Sequence, residues 1–197
     1  MIKMNKTNQI KLHMDPQSGL VYKDESHFIS SEAEHARYLT HNNQLDDPRY
    51  YAYQKQIFDT FVSHYVFGKI LDYGCGEEAP LKAISQLDMA CYDLYFHKHD
   101  HLLEDTYDAI IMIEVIEHIR DIDGMFEKLV SWLNPKGRLI IQTEFKPAFE
   151  QIYTWWYIRD ETHVSFFDED VFRFYAQKHG LAVIYTNQKN RIVLEKA

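Results

Sequence analysis

The stretch Lys69-Ile-Leu-Asp-Tyr-Gly-Cys-Gly-Glu-Glu-Ala79 constrains the fold more than any other part of the chain. An apolar run ends in an acid, and two glycines spaced by one residue follow. That order predicts a strand at 69–73 running into a tight loop whose backbone can approach a ligand closely. A helix over about Ala79 to Gln86 and a strand from Met89 to Tyr92 continue the pattern. Asp93 closes that strand about 20 residues beyond Asp72, where a carboxylate can accept both ribose hydroxyls of a nucleoside. Asp72, Gly74 and Gly76 thus fall at the carboxyl edge of a parallel sheet, the edge at which such sheets hold ligands.

Upstream, residues 1–48 read as an irregular lead-in. Asp15-Pro-Gln-Ser-Gly19 is a turn signal ahead of a short strand at Leu20 to Tyr22. Ser31-Glu-Ala-Glu34 fits a capping box, so a helix is expected from Glu32 to about His41. Asp47-Pro48 reads as an N-cap with proline at the first helical position. Tyr50, Tyr53, Ile57, Phe58, Phe61, Val62 and Tyr65 then keep the helical period up to Gly68.

Downstream, Tyr107 to Ile113 is a continuous apolar strand, as expected when both faces of a parallel sheet are covered. Met125 to Leu133 continues as an amphipathic helix closed by the turn Asn134-Pro-Lys-Gly137, and Leu139 to Thr143 is a further buried strand. Asp168 caps a helix ending near Gly180, and strands at 181–186 and 191–196 pair across the turn at Asn187 to Asn190. The alternation predicts an α/β fold, a doubly wound and mostly parallel sheet with a C-terminal antiparallel hairpin and a helical N-terminal extension. Residues 1–48 are assigned to the extension and 49–197 to the main domain. Only 13 residues separate Asp93 from Tyr107, too few for a helix-strand-helix crossover, so a third strand is expected to be reduced or missing.

Composition excludes several function classes. A formal net charge of -9 counts against broad electrostatic capture of nucleic acid. Neither Cys75 nor Cys91 has a CxxC partner, which removes a thiolate zinc site and suits a reducing cytoplasm. Met1 to Lys6 has no apolar core like that of a signal peptide, and no run approaches membrane-spanning length. The aromatic share of 15% fits either a ring-lined pocket or a tyrosine-rich core.

Gly74-Cys-Gly-Glu-Glu-Ala79 formally satisfies a dinucleotide fingerprint, but three features count against a nicotinamide cofactor. Asp72 would face a pyrophosphate unfavourably, no second nucleotide-binding half follows, and the sheet ends in an antiparallel hairpin. A sulfonium amino-acid nucleoside fits better, since Asp72 can help hold an ammonium group. With these pieces in order, the chain from about Tyr50 onward resembles the class I S-adenosylmethionine-dependent methyltransferases, which have a Rossmann-like sheet. The matching segments are 70–76, Asp93, 107–119, 133–141 and 160–167. Residues 34–43 also resemble an uncharacterised bacterial subgroup.

The resemblance implies that Gly74, Cys75 and Gly76 approach the methionine part of the cofactor, with Asp72 supporting the loop or the amino group. It places Asp93 on the ribose, Leu94 beside the adenine, and Glu114 near the transferred methyl. Glu78 replaces the usual third glycine and is expected to add bulk and charge near the cofactor. Glu114-Val-Ile-Glu-His118 sets two carboxylates and an imidazole at i, i+3 and i+4, and His163 is expected at the same edge. Glu117, His118 and His163 are therefore the candidate catalytic residues, with an imidazole as general base for a hydroxyl acceptor. A divalent metal on Glu114, Glu117, His118 and His163 is a sharper version, resembling small-RNA 2′-O-methyltransferases and some quinone-ring O-methyltransferases. An acceptor-contacting role is preferred to it.

The aromatic segment Phe145 to Tyr157 sits where acceptor specificity is usually built, though its rings would equally serve to cover the sheet. Lys146 and Arg159 are placed to pair with an acidic acceptor or to remain solvated, and His97, His99 and His101 read as a solvated loop. The expectation is a methyltransferase for a small or medium-sized acceptor, with oxygen slightly favoured. The alternatives are a metal-dependent RNA 2′-O-methyltransferase and a non-catalytic nucleoside-binding or partner protein. Oligomeric state and acceptor identity stay open at this point.

Overall fold

The computed structural model describes residues 10–40 and 43–197. Strands β1 (Leu12–Met14) and β2 (Val21–Lys23) precede helices α1 (Ser31–Tyr38) and α2 (Pro48–Thr60). Strand β3 (Ile70–Tyr73), helix α3 (Pro80–Ser85), strand β4 (Met89–Tyr92) and strand β5 (Tyr107–Ile113) follow. Next come α4 (Ile122–Trp132), β6 (Leu133–Gln142), β7 (Ser165–Phe166), α5 (Glu169–Lys178), β8 (Leu181–Thr186) and β9 (Arg191–Lys196).

Alternating side chains on β5 decide the architecture, because successive residues of a strand point to opposite faces. Ile110 and Met112 join Leu139 and Ile141 beneath α4 and α5, where Met125, Phe126, Leu129, Val171 and Phe172 are buried. Ala109 and Ile111 face the other way, with Ile140 and Val193, onto Ile57, Phe61 and Val62 of the α2 side and Leu81 of α3. Both faces of the sheet are therefore dry. At about 25 cal/mol per Å² of apolar area buried, two such layers are the main stabilising contribution.

The large sheet has the order β4-β3-β5-β6-β9-β8. Neighbours from β4 to β6 are parallel, and β9 runs antiparallel to both β6 and β8. This is the doubly wound sheet read from the sequence, with a single reversed strand next to one edge. The expected third strand is missing: between Asp93 and Tyr107 the chain makes one short 3-10 turn, Asp100–Glu104, and β4 is left as the edge strand.

Several boundaries differ from the sequence reading. Helix α1 is capped by Ser30, whose side chain accepts from the Ala33 amide, so the Ser31 capping box is not used. The expected end of that helix at His41 lies outside the described residues, as does the Met1 to Lys6 segment. Helix α4 begins at Ile122, earlier than Met125, because Asp121 accepts from the Gly124 amide and supplies a cap. The Asn134–Gly137 turn forms as a bulge inside β6, since Tyr107 pairs with Leu133 but Ala109 pairs with Arg138. Tyr53 of α2 is 45% exposed although it keeps the helical period.

The lead-in is more ordered than expected. Its strand falls at 21–23, and β1, β2 and β7 form a second, three-stranded sheet. The segment after β6 folds as two 3-10 turns, Phe149–Thr154 and Trp156–Arg159, whose Ile152, Tyr157 and Ile158 bury against Leu12, Val21 and Phe166. Most of the aromatic insertion therefore covers this small sheet. Two of its rings do not: Trp156 is 61% exposed, and Phe145 packs on Phe172 of the large-sheet core, while Tyr157 covers the small sheet and carries its hydroxyl into the site described next.

Candidate active site

The glycine loop leaves β3 in the left-handed backbone region. Gly74 has φ +81°, and a Cβ there would lie 2.4 Å from Val115 Cγ2. Gly76 has φ +68°, and a Cβ there would meet nothing within 4 Å, so its backbone borders open space. The Gly74 and Cys75 amides both donate to the Tyr92 carbonyl, at 2.7 and 3.1 Å, which pins the loop to the end of β4.

Asp93 finishes the clip. Its Oδ2 accepts from the Gly76 amide at 3.0 Å, and its Oδ1 accepts from the Tyr95 and Phe96 amides at 2.9 and 3.2 Å. Asp72 is buried at the end of β3, and burial, followed by Cys91 and Asp93, raises its carboxyl well above the usual range. Leu94 is 53% exposed just beyond Asp93. Glu78 does not crowd this loop as expected. Its carboxylate accepts from the Leu45 amide, and Ala79, at φ +43°, takes the left-handed turn ahead of α3. His97 turns Nε2 to the Glu77 carbonyl at 2.7 Å, so it braces the loop from outside.

On the other side of β3, the end of β5 carries the acid–imidazole cluster. Glu114 sits at φ +54°, and Ile116–His118 forms a 3-10 turn that carries Glu117 inward. Glu114 accepts from Gln142 Nε2 at 3.2 Å and from the Tyr157 hydroxyl at 2.9 Å. Glu117, fully buried, also accepts from the Tyr157 hydroxyl, while its Oε2 has no hydrogen-bond partner. Burial, then the Glu117 charge, pushes Glu114 up to about 8, and burial raises Glu117 as well. One phenol proton cannot serve two carboxylates, so this pair holds a proton at neutral pH.

The two imidazoles are tied by backbone carbonyls. His118 Nδ1 lies 3.1 Å from the Thr162 carbonyl, and His163 Nδ1 lies 3.0 Å from the Tyr157 carbonyl. A carbonyl can only accept, so each ring carries its proton on Nδ1 and leaves Nε2 as the lone-pair atom. The rings meet edge to face with centroids 4.9 Å apart. Burial lowers both, and His163, also beside His118, falls to about 3. Both are therefore neutral at pH 7.

The turn between them is braced by Asp160, which accepts from the Thr162 amide and hydroxyl at 3.0 and 2.7 Å, and by Lys23, whose Nζ donates to the Asp160 carbonyl at 2.5 Å. One ligand atom from each of Glu117, His118 and His163 lies within 4.8 Å of the others. The structure thus brings together the three residues chosen as catalytic. Glu114 is not in that trio; its oxygens accept from Gln142 and Tyr157.

Tyr157 was missed as a site residue. Its only signal was membership of the aromatic run, which gave no hint that its hydroxyl lies between two carboxyls. Lys146, read as a candidate acceptor contact, pairs with Asp168 at the cap of α5.

A family model described as a methyltransferase domain matches residues 49–186. A curated relative, (S)-coclaurine N-methyltransferase from Thalictrum flavum subsp. glaucum, is 27% identical over 66 residues, 34% of this chain and 17% of the relative's length. Among solved structures, the Burkholderia thailandensis 1,6-didemethyltoxoflavin-N1-methyltransferase with bound 1,6-didemethyltoxoflavin and S-adenosylhomocysteine has a TM-score of 0.59 at 11% identity. That alignment covers 95% of this chain and 99% of that one. Magnesium protoporphyrin IX methyltransferase from Synechocystis PCC 6803, with bound S-adenosylhomocysteine, has a TM-score of 0.55 at 14% identity, covering 87% and 97%. At those identities the likeness concerns the fold, whereas the family model spans most of the chain, and the chain belongs to the methyltransferase-domain family with the class I, Rossmann-like fold.

Proposed function

We propose that the protein transfers the methyl of S-adenosylmethionine to a hydroxyl of a small or medium-sized acceptor. Residues 49–197 are taken as the methyltransferase domain and 1–48 as an extension, of which the described part packs against it. The open space beside Gly76, bordered by left-handed backbone and the Asp93 carboxylate, fits an amino-acid nucleoside. Gly74, Cys75 and Gly76 would border its methionine part, Asp72 would support the loop or the amino group, and Asp93 would hold the ribose. Leu94 would lie beside the adenine and Glu114 near the reacting end. When bound, the cofactor supplies an electrophilic methyl on a sulfonium.

The observation that carries the oxygen reading is the pair of neutral imidazoles with Nδ1 committed to carbonyls. His118 Nε2 would receive the hydroxyl proton, with His163 packed beside it. The chain's part is otherwise positioning, since displacement at carbon needs the nucleophile in line with the leaving sulfur. A small-molecule partner suits the net charge of -9 better than RNA. A cytoplasmic setting suits the two free thiols. Among the described residues no helix is long and apolar enough to cross a membrane.

Calorimetry with S-adenosylmethionine, S-adenosylhomocysteine and NADH tests the donor, and S-adenosylhomocysteine release across a panel of phenols, alcohols and amines tests the acceptor. Binding of NADH alone would overturn the proposal. Binding of none would favour the non-catalytic module, and turnover confined to amines would remove the oxygen reading.

The buried, unpartnered Glu117 Oε2 favours a second reading, a divalent metal. The donor set fits as Glu117, His118 and His163, narrower than the four ligands expected, because Glu114 is occupied by Gln142 and Tyr157. Two imidazoles and a carboxylate suit Mn or Zn, and the ion would supply a Lewis acid for the acceptor oxygen. Elemental analysis after loading, compared with His118→Ala, decides it: equal metal in both proteins removes the metal.

A further inference from the structure

Helix α1 lies outside the 49–186 span of the family model, yet it reaches the acid–imidazole cluster. It buries no residue completely. Side-chain contacts tie it to Tyr95, Phe96, Asp160 and His118. His35 stacks on Tyr95, ring centroids 4.9 Å apart and planes 6° from parallel. Arg37 Nη2 lies 3.4 Å from Asp160 Oδ2. Tyr38 meets the His118 ring edge to face at 5.6 Å.

At the centre of these contacts is Glu34. Its Oε1 accepts from the Tyr38 hydroxyl at 2.9 Å and its Oε2 from the Tyr95 hydroxyl at 3.0 Å. The Tyr38 hydroxyl oxygen is also 3.1 Å from His118 Nδ1. A phenol has one proton to give. Because Glu34 takes it through a charge-assisted bond, the Tyr38 oxygen can meet His118 Nδ1 only as an acceptor. Without Glu34, the same hydroxyl could donate to Nδ1 and leave the proton on Nε2.

The geometry points to Glu34 as a positioning residue that fixes the tautomer of His118 through Tyr38. Glu34 reaches His118 through Tyr38. It keeps the Tyr38 proton from competing with the Thr162 carbonyl at His118 Nδ1, and so keeps Nε2 as the lone-pair atom. Tyr95 belongs to the loop clipped by Asp93, so the nucleoside side of the site holds the other oxygen of the residue that sets the imidazole. Its catalytic meaning rests on the reading of His118 as acceptor-side base.

The test is long-range proton–nitrogen NMR on histidine-labelled, EDTA-treated full-length protein. The wild type should show His118 protonated on Nδ1 with a bare Nε2. Glu34→Ala should move the tautomer ratio about tenfold or more toward the Nε2–H form, the effect of losing one charge-assisted bond. The double variant Glu34→Ala/Tyr38→Phe should return His118 to Nδ1–H, because no phenol proton remains to compete with the Thr162 carbonyl. A general loosening of α1 would not be reversed by a second truncation. An unchanged ratio in Glu34→Ala, or no reversal in the double variant, overturns the assignment, and Glu34→Leu serves should the alanine variant fail to fold. Calorimetry with S-adenosylhomocysteine on the wild type separates this outcome from failure of the methyltransferase reading.

Discussion

Tyr157 donates its hydroxyl to Glu117, a fully buried carboxyl whose other oxygen has no hydrogen-bond partner. The same hydroxyl lies 2.9 Å from Glu114, so one phenol organises both acids. Removing it strands buried acceptors, which costs about 1–3 kcal/mol. Tyr157→Phe is therefore expected to lower stability by that amount in urea unfolding. A variant as stable as the wild type would mean that water or relaxation satisfies the acids.

The proton held by this pair gives stability a pH dependence. Burial and Glu117 push Glu114 up to about 8 in the folded protein, above its ordinary value of 4.5. A carboxyl raised in this way binds more protons folded than unfolded. Its contribution is fully present below pH 4.5 and is lost as pH rises through about 8. In EDTA-treated protein, the stability of the wild type relative to Glu114→Gln should fall across that window, by up to about 1.4 kcal/mol per pH unit. Unfolding curves at several pH values measure the difference, and parallel profiles for the two proteins would refute the buried proton.

Gly74 is where backbone and packing demand the same residue. Its φ of +81° disfavours any side chain, and a methyl would press on Val115 at 2.4 Å. The left-handed backbone alone costs about 1–2 kcal/mol. Gly74→Ala should accordingly weaken S-adenosylhomocysteine binding and lower the melting temperature, and adding Val115→Ala should recover only part of the loss. Full recovery would assign the whole effect to the clash and none to the backbone. At Gly76 the Cβ position is open, so Gly76→Ala should spare the fold more than the binding.

The glycine loop and the acid that clips it were legible because their signals are local. The run from Ile70 to Gly76, and Asp93 at the end of the next apolar run, are each carried by contiguous residues whose chemistry and spacing do not depend on the rest of the fold. The mostly parallel sheet with its antiparallel C-terminal hairpin followed from the strand–helix alternation, and the missing third strand from the short segment before Tyr107. Glu117, His118 and His163 were nameable because two of them are adjacent and the third follows the last parallel strand.

What escaped was long-range. Tyr157 is 40 residues from Glu117 and Tyr38 is 80 from His118, and no periodicity encodes such pairings. The partner of Glu78, the Leu45 amide, is 33 residues away and escaped for the same reason. The β1–β2–β7 sheet escaped because strands of two or three residues carry too little alternation to read.

Asp93 has two duties that a single substitution can separate. Three backbone amides, those of Gly76, Tyr95 and Phe96, already point at its carboxylate. A carboxylate offers about four lone-pair directions, which leaves room for a ribose hydroxyl but little more. Asp93→Ala removes the clip and the proposed ribose contact together. It should weaken S-adenosylhomocysteine binding by about tenfold to a hundredfold and also lower stability by about 1–3 kcal/mol. Asp93→Asn keeps one carbonyl for the Tyr95 and Phe96 amides while its amino group faces Gly76 and the ribose. It should retain more of the stability than alanine yet bind nearly as poorly. Calorimetry and thermal melting on the two variants test both duties. Wild-type affinity in Asp93→Ala would remove Asp93 from the ribose, and wild-type melting would remove it from the clip.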